Sequence, residues 1–215
     1  MLREDTTLAR CCLNFSLPKP DCETFRVPVS TDISNRVAKD GVLDRDVLAL
    51  QTKAALDTLR IANPDKVVTL GGECSVSVPV FTYLADKYGD DVAVVWVDAH
   101  PDITLPGDDY TGYHAMALTA IMGKGDKNIV GQLPAKVSPH RICLAGLREC
   151  EYPYIEKRVE DLGLMHFSPA ELASDSNLII DWLRKSGVSK VVIHFDMDVM
   201  EPTFLQQLPT DPKED

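Results

Sequence analysis

The chain has 215 residues, 45% apolar and 26% charged, with a formal net charge of −11. That balance suits a solvated globular protein; it excludes a nucleic-acid binder, which needs a basic patch, and a membrane span, which needs roughly 20 consecutive apolar residues. The opening MLREDTTLARCCLNF carries acids where a secretory leader needs a basic start, and the six cysteines form no C-x-x-C pair, so a cytoplasmic protein with reduced thiols is expected.

The first forty residues carry little signal beyond VPVS at 27–30, which reads as a short strand. DRDVLALQTKAALDTLRIA at 44–62 has helical apolar spacing, with Asp44 placed as its N-cap. KVVTL at 66–70 follows Asn63-Pro64 and reads as a buried strand. Residues 75–88 read as a helix that tolerates Pro79 near its first turn. VAVVWV at 92–97 is a second buried strand, and 113–122 a further helix. RICLAG at 141–146 and LMHF at 164–167 are the third and fourth strands. SPAELASDSNLIIDWLRKSG at 168–187 has a Ser cap, a Glu three residues on and a final Gly, the marks of one helix. KVVIHF at 190–195 is the fifth strand. Continuous apolar strands alternating with helices predict an α/β protein: a three-layer α/β/α arrangement around a mainly parallel sheet, with residues 1–215 as a single domain.

Strand after strand is followed by reactive residues. KVVTL runs into GGECS, VAVVWV into DAHPD, RICLAG into LREC and KVVIHF into DMD. Ligands in an open α/β sheet bind outside the carboxyl ends of the strands, so these segments are expected to meet on one rim. Asp98, Asp102, Asp196 and Asp198 would then crowd together with His100 among them. Crowded carboxylates repel and lose hydration, and a bound cation removes both costs. A single D-x-D after a strand is also a common turn or helix cap; the pairing of DAHPD with DMD is what favours metal. Oxygen-rich surroundings suit hard ions such as Mn²⁺ or Mg²⁺, and a pair of them acidifies bound water. The overall negative charge reads first as a solvated surface and second as an attraction for a cationic substrate.

GGECS, DAHPD and HFDMDVMEP resemble the three signatures of the ureohydrolases, the arginase and agmatinase family, in order, spacing and placement over about residues 45–203. The resemblance implies an arginase-like fold lacking the family's C-terminal third. It also implies a binuclear manganese centre, two Mn²⁺ per subunit, that hydrolyses a C–N bond of a small guanidino or amidine substrate through a metal-bridging hydroxide. Carried over by position, Asp98 and Asp196 would bridge the metals, His100 and Asp198 would bind one, and Asp102 the other. His114, in TGYHAMAL, resembles the family's proton shuttle; its other reading is a packing histidine. Glu149 and Glu151, around GLREC, would hold the substrate's amino group. Homo-oligomers are the family habit.

The chain departs from the family pattern at several positions. Cys74 stands where the family has a metal-binding histidine, and either ligates through sulfur or fills space. Glu73 replaces an Asp. His194 stands where the family has Ser, and either packs within its strand or adds a nitrogen near the metals. Glu201 replaces the last Asp of the third motif, remote from the metals by spacing. These departures leave an alternative from another class, a degenerate metal-binding member that holds one ion and turns nothing over. A plain nucleotide-binding domain is disfavoured, because there is no G-x-G-x-x-G and a phosphate would meet carboxylates.

Overall fold

The computed structural model of the chain describes residues 23–32, 34, 36–148, 150 and 152–201. It begins with a small antiparallel hairpin, β1 (Ala38–Lys39) and β2 (Val42–Leu43). Asp40 and Gly41 make its turn, both at positive φ (49° and 80°). An Asp-Gly pair is the composition that such a two-residue turn requires. A Cβ at residue 41 would sit 2.6 Å from the Gly107 backbone, so the glycine also permits a close approach.

Helix α1 (Arg45–Ala62) buries Thr52, Leu56 and Leu59 along one stripe. Asp44 precedes it as expected, but in a left-handed conformation with no side-chain cap; its carboxylate pairs with Arg36 at 2.6 Å instead. Cys74–Val76 forms a single 3₁₀ turn that leads into α2 (Ser77–Tyr88). That helix is buried from Ser77 through Ala85 because it lies between α1 and the sheet. Strand β3 (Val92–Val97) follows. The 113–122 segment divides into a 3₁₀ turn, His114–Met116, and α3 (Ala117–Ile121), and α4 (Lys127–Val130) comes next under the Asp126 cap.

Strand β4 (Ile142–Ala145), α5 (Pro153–Leu162) and β5 (Met165–Phe167) complete one side of the sheet. The expected single helix at 168–187 is two helices, α6 (Pro169–Ser174) and α7 (Asn177–Ser186). Ser168 and Glu171 form the anticipated capping box. The break falls at Asp175, whose backbone is extended and whose carboxylate accepts from the Asn177 N–H at 2.9 Å. A short polar side chain that bonds its own backbone competes with helix continuation. Strand β6 (Lys190–Phe195) ends the ladder.

Among the described residues the main sheet is fully parallel, in the order β5-β4-β3-β6. Successive strands step outward from β3 to β5, and the chain then returns to the far side of β3. Right-handed crossovers therefore place the connections before β5 on one face and α6–α7 on the other. This is the expected three-layer α/β/α arrangement. The core joins Val92, Val94 and Trp96 of β3 to Phe81 and Leu84 of α2, with Ile142 and Leu144 beside them.

Two strand expectations fail. Residues 66–70 form no strand: Val68 is 89% exposed and Leu70 58%. A strand needs a partner for its backbone groups, and here Lys66 and Val67 line a cleft of about 340 Å³ together with Val191 and Ile193 of β6 and join no ladder. Residues 27–30 are likewise exposed and outside any ladder. Among the described residues no helix is long and apolar enough to cross a membrane.

Candidate metal centre

The centre lies beyond the carboxyl ends of β3 and β6, where the strand order reverses, which is the position favoured for ligands in such sheets. Sheet hydrogen bonding continues one step past both strands. Asp98 N–H donates to Ala145 O at 3.2 Å, and Asp196 N–H to Val97 O at 2.8 Å. The two aspartates therefore leave neighbouring strands side by side.

Each aspartate uses one oxygen to shape its own loop. Asp98 Oδ1 accepts the His100 N–H at 2.7 Å, and Asp196 Oδ1 accepts the Asp198 N–H at 2.9 Å. These are the turns that aspartate makes two residues ahead of itself. The other oxygens face inward, with Cys74 Sγ 3.9 Å from Asp98 Oδ2 and 3.6 Å from Asp196 Oδ2.

Two donor groups result, with Asp98 common to both. In the inner group Cys74, Asp98, His194 and Asp196 each offer an atom, all within 4.8 Å of one another; the outer group is Asp98, His100 and Asp198 on the same criterion. Asp102 is buried against the Cys74 thiol. It has a left-handed backbone (φ 46°), and its carbonyl accepts from the Leu118 N–H at 3.0 Å. Its Oδ2 and His194 Nε2 are buried with no hydrogen bond. Buried polar atoms of this kind are rare and call for an explanation.

The charges are interlocked. Burial opposes ionisation of Asp98, yet the imidazoles of His100 and His194 outweigh it and hold its carboxyl at about 2. Asp102 goes the other way: burial, with Asp98 close by, pushes its carboxyl well up. The hydrogen bond to Asp198, 2.9 Å from His100 Nδ1, and then Asp98 raise the His100 imidazole to about 10. Burial and the facing carboxylates of Asp102 and Asp98 push the Cys74 thiol far up.

Of the residues singled out from the sequence, Cys74, Asp98, His100, Asp196 and Asp198 thus fall into the two groups, and Asp102 adjoins them. His114 joins neither. Its 3₁₀ turn packs on the Cys74 turn, and its Nε2 shares a 3.1 Å hydrogen bond with the Tyr110 hydroxyl. Glu149 and Glu151 lie outside the described residues.

His194, open in the sequence between a packing residue and a nitrogen near the metals, falls in the inner group; its position two residues before Asp196 on a strand was the available signal. One contributor was not singled out. Arg148 fastens the rim, donating to Val199 O at 3.1 Å and Met200 O at 2.8 Å, while its backbone N–H donates to Ala99 O at 3.1 Å. No sequence pattern marks that role. Gly146, at φ 94°, lets the loops close: a Cβ there would lie 2.4 Å from Val199 Cγ2.

Comparison with known proteins bears on the family and the fold. The family model described as the arginase family matches residues 3–208. The chain is 28% identical over 145 residues to an arginase of Entamoeba histolytica, covering 65% of this chain and 49% of that protein. It is 26% identical over 195 residues to an arginase of Saccharomyces cerevisiae, covering 82% and 57%. It thus spans about half the length of these curated relatives. Among solved structures, the Entamoeba histolytica arginase in complex with L-ornithine superposes with a TM-score of 0.69 at 21% identity, covering 82% of this chain and 63% of that one. A Bacillus subtilis formimidoylglutamase gives 0.58 at 16% identity, covering 75% and 49%. With nearly the whole sequence matched by one family model and the same fold in its solved neighbours, the chain belongs to the arginase family.

Proposed function

We propose that this chain carries a two-cation hydrolytic centre that cleaves a C–N bond of a small guanidino or amidine compound. The observation that carries the reading is the pair of donor groups sharing Asp98, with the buried Asp102 Oδ2 left without a hydrogen bond beside them. Such a set fits divalent cations: carboxylates dominate, and an unsatisfied buried oxygen gains a partner. Asp98 and Asp196 would contact both ions, His100 and Asp198 the outer one, and Asp102 and Cys74 the inner one. The expected pair is two manganese ions, and the oxygen-rich outer group suits one of them best. When bound, the cations supply an acidified water at neutral pH.

The chain's own groups do the rest. The anionic rim draws a planar cation toward the sheet edge. His114, on the turn that abuts Cys74, would pass a proton to the departing amine, with Tyr110 orienting its ring. Glu149 and Glu151 would hold the far amino group of the substrate. L-ornithine in the similar Entamoeba histolytica structure is a small cationic amino acid, which supports this substrate class. We read residues 1–215 as one domain, and its buried thiols Cys74 and Cys143 suit a reducing compartment such as the cytoplasm.

A second reading, a metal-binding member without turnover, is favoured by one observation. Cys74 presents a strongly protonated thiol at a donor position, and thiol sulfur is a poor partner for manganese. Cation content, measured together with turnover of arginine, agmatine and formiminoglutamate in manganese-supplemented buffer, separates the readings. Two cations with urea or amine release support the enzyme. One cation without turnover supports the second reading, and no bound cation sinks both.

A further inference from the structure

We infer that His194 is a ligand of the inner cation, held in place by Ser77. The inference rests on the two-cation reading and adds a residue to it.

The imidazole is fixed on three sides. It stacks on the Trp96 indole, with centroids 3.7 Å apart and planes 15° from parallel. Its Nδ1 lies 2.9 Å from Ser77 Oγ, at the first residue of α2. The residue is only 7% exposed. The remaining nitrogen, Nε2, is buried without a hydrogen bond and sits 3.4 Å from Asp98 Oδ2, within the inner donor group.

A histidine kept only for packing would meet Asp98 as an ion-pair partner, yet at 3.4 Å its Nε2 makes no hydrogen bond to that carboxylate. A ligating histidine accounts for the bare nitrogen: its far nitrogen is fixed by a hydrogen bond, which sets the tautomer and leaves the near lone pair for the cation. In that arrangement Nδ1–H would donate to Ser77 Oγ, 2.9 Å away, and Nε2 lies in the donor group of Asp98, Asp196 and Cys74. The ring therefore supplies the imidazole that position 74 does not. It also changes the metal preference. One nitrogen and one sulfur beside carboxylates favour a borderline cation such as Co²⁺ or Zn²⁺ over Mn²⁺ at the inner position, whereas the outer group keeps its oxygen-rich character.

The test uses the full chain. Equilibrium dialysis with Co²⁺ compares the wild type with His194→Phe, which keeps a ring against Trp96 and removes both nitrogens. The expected result is two equivalents in the wild type, with one of them weakened by at least about 100-fold in the variant. Pulsed EPR of His100→Ala saturated with Mn²⁺, so that the inner position is filled as well as the outer one, is the second measurement and does not depend on the folding of the Phe variant. With the outer imidazole gone, a surviving histidine nitrogen coupling must come from His194. Two equivalents of unchanged affinity in a folded His194→Phe, or bound Mn²⁺ without nitrogen coupling in His100→Ala, overturns this inference and leaves the two-cation reading standing. A wild type that binds no divalent cation overturns both.

Discussion

The inner and outer halves of the centre solve the same electrostatic problem differently. In the outer half His100 is 53% exposed at its side chain and is already paired with Asp198. Solvent and that ion pair satisfy the group before any cation arrives. The inner half is sealed: Cys74, Asp98, Asp102 and His194 are all buried, and two of their polar atoms have no hydrogen bond. A buried polar atom without a partner costs about 1–3 kcal/mol, so the inner half gains more from a cation than the outer half does. Two donor sets that share one carboxylate can therefore differ in how much stability depends on loading.

The sharpest way to break this contrast is Asp98→Asn, because that side chain belongs to both halves. Both cation equivalents are expected to be lost and turnover to fall below detection, checked by metal analysis and product assay; intact metal content would refute the shared-carboxylate arrangement. Asp102→Asn acts on the inner half alone. It removes one buried carboxylate from among others, so the melting temperature of the metal-free chain is expected to rise by several degrees, on the order of 1 kcal/mol. The extra stability conferred by cation should shrink at the same time. A calorimetric scan with and without chelator reads both effects.

Arg148→Met loosens the rim instead of removing a donor. Losing its bonds to Val199 O and Met200 O is expected to cost about 1–2 kcal/mol and to weaken both cations together, by about tenfold. Isothermal titration distinguishes this from a one-sided loss. The smallest effect on the centre is expected from Asp108→Asn. Asp108 pairs with Arg158 at 2.6 Å and accepts from the Leu105 N–H at 2.7 Å. The Arg158 hydrogen bond holds its carboxyl below the usual range. A depressed carboxylate contributes stability above its unfolded pKa, near 4, and loses it as pH falls through the lower folded value. The variant should thus lose on the order of 1 kcal/mol at neutral pH and nothing in strong acid, with cation affinity unchanged. A pH series of melting curves tests this.

The legible parts of the sequence were those where local pattern and tertiary role agree. VAVVWV and KVVIHF are strands with the expected bounds because β-branched runs suit a ladder with neighbours on hand. KVVTL has the same composition and fails, because strand formation depends on a partner as well as on propensity. The break at Asp175 was hidden by sound caps at both ends of the 168–187 stretch. The Asp40-Gly41 turn carried a readable signal in a region otherwise without pattern. In the centre, DAHPD and DMD gave away their carboxylates by spacing. His194 was legible only as an alternative, since alternation along a strand fixes which side a residue faces and not whether its ring nitrogen finds a hydrogen bond. Arg148 was beyond reach because carbonyl clamps leave no motif.

The missing side chain at residue 146 sets a spacing. Because Val199 presses into the room left by Gly146, the loop bearing Asp196 and Asp198 rests directly on the end of β4. Any bulk introduced there would act as a wedge, lifting both aspartates away from Asp98 at once. The span between the two aspartate-bearing loops is in this sense gauged from behind, by a position that supplies no donor atom.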